Sequence, residues 1–216
     1  MRFFTSQLEL APVSERRSVI KSIATYTLLA GSGLSLMACS KEEKLKFSSI
    51  DLTGADYAKN FSLPDQNGQV RSMPDFAGKI VVVFFGFVQC PDVCPTTMFD
   101  LASIKKGLGA DSDKLQVIFI TVDPERDTEE LLKAYMANFD PSFLALRPSM
   151  TELPALAADF KVFYKKVAGK TPGSYSMDHT AGSYVYDTKG KLRLFGRYGT
   201  GPEGLASDIR LLLKSA

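Results

Sequence analysis

The chain reads as an α/β protein, a β-sheet with helices on its faces, and three observations predict it. Two apolar runs rich in β-branched and aromatic residues, Ile80 to Phe85 and Leu115 to Val122, have the length and composition of buried strands. Each is followed by a helical segment; in the first, Leu101, Ile104 and Leu108 fall on one face. Nearer the C-terminus, Gly182 to Tyr186 and Leu192 to Phe195 alternate apolar and polar residues around Asp187-Thr188-Lys189-Gly190, a hairpin, ahead of an amphipathic helix over Pro202 to Leu213. Strands alternating with helices pack as a sheet covered by helices.

Taken in order, residues 1–38 read as an export signal rather than as fold. Ser14-Glu15-Arg16-Arg17-Ser18-Val19-Ile20-Lys21 is basic, and the apolar stretch Ile23 to Met37 is diluted by Thr25, Thr27, Gly31, Ser32 and Gly33. Leu36-Met37-Ala38-Cys39 resembles a lipobox, in which Cys39 carries lipid and becomes the mature N-terminus. The alternative is an uncleaved membrane anchor, for which the run is short of the roughly 20 residues a spanning helix needs. Arg16-Arg17 resembles a twin-arginine export motif and also fits a generic basic region, so both export routes stay open. Without residues 1–38 the chain's 26 basic and 24 acidic residues become 22 and 22, a balance that asks for neither nucleic acid nor an acidic membrane surface. Export places the domain in an oxidising compartment.

Residues 39–55, with the charged run Lys41 to Lys46, read as a tether, and residues 56–216 as the folded domain. Phe61 to Val70 reads as two short strands around an Asn67-Gly68 turn. The first buried run passes through Gly86 to Cys90 and Cys94, each followed by proline, and Pro95 opens a helix to Gly107. Asp123-Pro124 ends the second run; Asp127 or Thr128 caps a helix over Glu129 to Asn138, which Pro141 stops. Phe143 to Leu146 is a short strand, Glu152 to Phe160 a helix, Val162 to Val167 a strand and Gly169 to Met177 a polar loop. Ligands of such sheets gather at the carboxyl ends of the strands, where Gln89-Cys90 and Asp123 lie.

The chain holds three cysteines, one histidine and no tryptophan. With Cys39 in the signal, the domain owns only Cys90 and Cys94, so no structural disulfide framework is available to it. Three residues separate the pair, one helical turn, which suits either a disulfide or a metal clip. Cys94 falls at a helix N-terminus, where free N–H groups and the dipole favour thiolate. A structural zinc site wants four protein ligands, more than two cysteines and one histidine supply. His179 lies in the small, polar stretch Ser174 to Gly182, just ahead of an expected strand. Two thiolates and an imidazole suit copper in either oxidation state, and also zinc with an open position. Asp123 either engages the cysteine pair or is turn chemistry before a proline. Asp178 either orients His179 or is a plain surface carboxylate. Met98 and Met177 read as core filler near the site.

Gly86-Phe87 through Cys90-Pro91-Asp92-Val93-Cys94-Pro95, then Thr121 to Thr128, then Asp178-His179, resemble the three signature blocks of the Sco/SenC family. The resemblance runs from about Phe61 to the C-terminus. It implies a thioredoxin-like fold, a central mixed β-sheet flanked by helices with an extra hairpin insertion. It implies a membrane-anchored copper-binding protein that helps build the binuclear copper centre of cytochrome c oxidase. Cys90, Cys94 and His179 match the copper ligands, and Asp123 an acidic residue near the cysteines. The expected cargo is Cu(I), Cu(II) or both. The expected partners are the oxidase's copper-bearing subunit and a periplasmic copper donor. The expected place is the bacterial envelope, facing the periplasm and lipid-anchored to the inner membrane. On this reading the protein is a binder and donor rather than a turnover enzyme. The rival is a thiol–disulfide oxidoreductase in which Cys90 and Cys94 reduce the oxidase subunit's cysteines before metallation. A thiol peroxidase is a third possibility, but nothing marks a dedicated peroxidatic cysteine. His179 separates the first two, because dithiol exchange does not need it.

Overall fold

The computed structural model describes residues 45–215; the expected export signal, Cys39 and the start of the tether lie outside the described residues. In chain order the elements are β1 (Ile50–Asp51), β2 (Ser62–Pro64), β3 (Val70–Ser72), β4 (Ile80–Gly86), α1 (Val93–Gly107), β5 (Leu115–Thr121), α2 (Glu129–Met136) and β6 (Leu144–Leu146). They continue with α3 (Leu153–Phe160), β7 (Tyr164–Ala168), β8 (Tyr175–His179), β9 (Gly182–Tyr186), β10 (Leu192–Arg197) and α4 (Pro202–Lys214). Short 3-10 turns cover Met73–Phe76 and Gly109–Lys114.

The two apolar runs become β4 and β5, buried at every position and paired in parallel from Ile80 opposite Leu115 to Gly86 opposite Thr121. Strands covered on both faces need apolar residues at every position, which is why these run without alternation. β6 extends the parallel side, and β9, β10 and β1 add antiparallel strands on the other, in the order β1-β10-β9-β4-β5-β6. The sheet is mixed, flanked by helices, and thioredoxin-like, as expected from the sequence. Successive residues of β4 point to opposite faces. Phe85 meets Phe160 of α3 at 5.0 Å between ring centroids, while Phe84 meets Phe119 of β5 at 6.3 Å and faces the site. α1 and α4 pack against each other.

Two expectations need correction. The stretch taken as the end of the tether belongs to the fold. The backbone N–H groups of Ser48 and Ser49 donate to the buried carboxylate of Asp208 at 2.9 and 2.8 Å, and β1 pairs with β10. Two donors and a sheet edge bind the chain there before residue 56 is reached. The second correction concerns the polar loop. Only its tip, closed by Gly169 N–H to the Ser174 carbonyl, is loop; from Tyr175 the chain is β8, paired antiparallel with β7. This hairpin is a separate two-stranded sheet between α3 and β9, and His179 is its last residue.

Candidate metal centre

The site starts where β4 runs out. Val122 N–H donates to the Gly86 carbonyl at 2.8 Å, so β4 and β5 end level with each other. The chain then turns through Phe87, with Cys90 N–H on the Phe87 carbonyl at 3.2 Å, and enters α1 at Val93. The helix therefore begins two residues before Pro95, with Cys94 in its first turn, fully buried, and Cys90 outside it, half-buried. Both are free thiols. A strand end leading into a helix start gives the sulfurs what free N–H groups exist there: Cys94 N–H donates to Cys90 Sγ at 3.4 Å.

The pair divides into an anion and an acid. The Cys94 thiol donates to Cys90, and this is the largest cause that draws the Cys90 pKa down to about 4, against the opposing effect of burial. His179 and the backbone N–H groups of Asp92 and Cys94 add to the lowering. The same hydrogen bond pushes the Cys94 thiol up, and burial pushes it further. Cys90 is thus the thiolate, on the half-exposed side, and Cys94 keeps the proton within.

His179 arrives from the β7–β8 hairpin. Its Nε2 lies 3.7 Å from Cys94 Sγ, and its Nδ1 lies 3.0 Å from the carbonyl of Thr180. A carbonyl only accepts, so Nδ1 donates to it, and Nε2 is the ring nitrogen that faces the sulfur. Phe84 and Phe87 meet the ring edge-on, at 6.1 and 5.9 Å, and fix its plane. A pocket of about 310 Å3 opens over the group, walled by Cys90, Pro91 and Asp92 on one side and by Ser176 to His179 on the other.

The donor set fits a soft metal ion. With bonds of about 2.3 Å to sulfur and about 2.0 Å to nitrogen at a trigonal angle of about 120°, the two atoms stand about 3.7 Å apart. The Cys94–His179 separation has that value. Cys90 is still engaged with the Cys94 N–H and thiol, and among the described residues no cluster of three such side chains is closed as a cation cage. The arrangement is that of a reduced, proton-bearing site with two donors spaced for metal and the third beside them.

The acidic candidates stand elsewhere. Asp123 is buried and accepts from the Tyr175 hydroxyl at 2.9 Å and from Arg126 Nε at 2.5 Å; none of its hydrogen bonds goes to a cysteine. Asp178 is exposed on β8 opposite Lys165, and the Thr180 carbonyl takes the orienting role instead. Thr128, not Asp127, caps α2. Asp127 is buried behind the cysteine turn, accepting from Val88 N–H at 3.1 Å and from Thr121 Oγ1 at 2.5 Å; burial raises its pKa. Met98 is fully buried, and Met177 nearly so beside the pocket.

Gly86 is a site residue that residue chemistry alone does not flag. A Cβ there would stand 2.7 Å from Phe119 Cε2, 2.9 Å from Phe84 Cε1 and 3.0 Å from Cys94 Sγ. Its missing side chain is the space that the Cys94 sulfur uses.

These features define a thioredoxin-like protein whose cysteine pair lies beside a histidine on a separate hairpin. The chain belongs to the SCO1/SenC family, whose model matches residues 51–214. It is 32% identical over 179 residues to a SCO2-like protein of Rickettsia felis, covering 81% of this chain and 87% of that one. It is 31% identical over 153 residues to the mitochondrial SCO2 homolog of Bos taurus, covering 70% of this chain and 58% of the relative. Among solved structures, Bradyrhizobium japonicum ScoI with copper bound matches with a TM-score of 0.65 at 39% identity, over 71% of this chain and 98% of that one. Yeast Sco1 with copper bound matches with a TM-score of 0.65 at 29% identity, over 73% and 88%.

Proposed function

We propose that this protein takes up copper as cargo through Cys90, Cys94 and His179. It then passes the metal to the copper-bearing subunit of cytochrome c oxidase. The observation that carries the reading is the His179 ring. Its Nδ1 is tied to a backbone carbonyl, which leaves Nε2 facing Cys94 at 3.7 Å. A dithiol exchanger does not need such an imidazole, whereas a copper site takes its nitrogen donor from it. Copper-bound relatives of the same fold support the same cargo. Two thiolates and a neutral imidazole balance Cu(II) and leave Cu(I) at one negative charge. A donor set that accepts both states can load in one and release in the other. The open pocket above Cys90 gives a partner's thiols access to the metal. Binding and release, not turnover, is the resulting activity.

A second reading has its own observation. Cys90 is a half-exposed thiolate and Cys94 a buried thiol hydrogen-bonded to it. Cys90 would attack one sulfur of a partner disulfide, releasing the other as thiolate. Cys94, giving up its proton, would then displace the second partner sulfur and close Cys90–Cys94. The partner gains two electrons overall, with one proton from Cys94 and the second from solvent, and this pair is oxidised. Such a step would ready the oxidase subunit's cysteines for metal. Attachment through a lipid on Cys39, facing the periplasm from the inner membrane, is the matching placement; among the described residues no helix is long and apolar enough to cross a membrane.

Copper titration of the reduced protein tests the first reading. Wild type is expected to bind one copper, and His179→Ala and Cys90→Ala to bind it far more weakly. Equal affinity of His179→Ala for both copper states would overturn the three-donor site.

A further inference from the structure

Three segments of the site meet on one side chain that the copper reading does not use. Arg126 Nε donates to Asp123 Oδ2 at 2.5 Å, and Nη1 donates to Gln89 Oε1 at 2.9 Å and to the backbone carbonyl of Tyr175 at 2.9 Å. The guanidinium lies over the Tyr175 ring, 3.5 Å from its centroid, and the Tyr175 hydroxyl returns to Asp123. Gln89 is the residue before Cys90, Asp123 follows the end of β5, and Tyr175 opens the strand whose last residue is His179.

The β7–β8 hairpin shares no ladder with the main sheet. Its approach to the cysteine turn is therefore held by side-chain contacts rather than by strand pairing. Arg126 supplies two of these at once, one to each side of the gap. A planar fork with several donors does this at fixed angles, whereas an ammonium on a flexible stem sets no direction for its contacts. Among the described residues, Nη2 is buried without a hydrogen-bond partner. Stranding that donor has a cost, accepted while the other nitrogens and the ring stack join three segments. A plain turn-stabilising pair with Asp123 at i, i+3 would need neither Gln89 nor the Tyr175 carbonyl.

We propose that Arg126 is a positioning residue for the metal centre, fixing the β7–β8 hairpin, and with it His179, against the Gln89–Cys90 turn. Its consequence for copper rests on the functional reading above; its effect on the hairpin does not.

The test compares wild type, Arg126→Lys and Gln89→Ala. Amide hydrogen exchange is measured on the reduced, metal-free full-length protein. Copper(I) competition and the thiolate-to-Cu(II) visible band are measured on the loaded protein. Lysine keeps the charge beside Asp123 but loses the fork. In Arg126→Lys, amides of residues 164–179 are expected to exchange roughly tenfold faster or more while β4 and β5 stay as in wild type. Copper affinity is expected to fall roughly 10–100-fold, with a shifted visible band. Gln89→Ala, which removes only the link to the cysteine turn, is expected to move both readouts the same way by less. Unchanged hairpin exchange in Arg126→Lys overturns the proposal. So does a rise spread equally over β4 and β5, which marks a fold-wide role. So does a loosened hairpin with wild-type copper affinity and spectrum. If wild type itself fails to bind copper, the functional reading fails, and the exchange data still decide whether Arg126 holds the hairpin.

Discussion

Replacing Gly86 with alanine puts a methyl group where three side chains already meet. The added carbon would stand 2.7 Å from one ring edge, 2.9 Å from another and 3.0 Å from the Cys94 sulfur. Both rings, Phe119 and Phe84, are fully buried, so neither can swing aside into solvent. Overpacking of this kind costs about 1–3 kcal/mol, and two contacts under 3.0 Å place it in the upper part, about 2–3. Against that, alanine narrows the unfolded ensemble and returns about 0.4–1 kcal/mol, because Gly86 has no positive φ that alanine would strain. The clash wins, and the expected net loss is about 1–2.5 kcal/mol. In a domain of this size each kcal/mol lowers the melting temperature by about 2–4 °C, so the midpoint should fall by about 2–10 °C. Urea unfolding of the reduced protein should show the lower midpoint with an unchanged slope. A variant as stable as wild type, or more stable, would refute the claim that the space beside Cys94 is walled by immobile rings.

Other consequences are as direct. Alkylation of reduced protein should label Cys90 and spare Cys94; with the Cys90 pKa near 4, the thiolate fraction is constant above about pH 6 and falls only as the pH approaches that value. The rate should be flat from about pH 6 to 8, and a rise of about tenfold per pH unit, as an ordinary thiol shows, would contradict the assignment. Asp208→Ala removes the acceptor of two backbone N–H groups and should cost about 1–3 kcal/mol, with faster proteolysis near residues 48–52. Asp123→Ala strips the partner from Arg126, whose side chain is 20% exposed, and should lower stability by about 2 kcal/mol in thermal unfolding; an unchanged melting temperature would show the pair to be energetically idle.

The cysteine half of the site was legible because its signals are local. An apolar run, a glycine, two cysteines and two prolines fall within the one stretch Ile80 to Pro95, and strand, turn and helix start follow from residue chemistry. His179 was legible as a candidate because no other histidine competes. Its placement on a strand was not, because β7 is largely exposed and does not alternate, and the alternation of β8, with Tyr175, Met177 and His179 on the covered face and Ser176 and Asp178 exposed, is short and set in a polar stretch. The same applies to residues 48–51. Their partners, Asp208 and β10, lie about 140–160 residues away, and a lysine-rich prelude masks the edge strand they form. The Thr180 carbonyl leaves no side-chain signature at all. Gly86 was visible as a letter, but its purpose depends on two rings and a sulfur brought together only by the fold.

The central claim is that two cysteine sulfurs and one imidazole nitrogen hold the copper. X-ray absorption on the Cu(I)-loaded protein measures that set. Two sulfurs and one nitrogen around copper are expected in wild type, and loss of the nitrogen in His179→Ala with both sulfurs kept. A wild-type site with sulfur donors alone, or one that His179→Ala leaves unchanged, would contradict it.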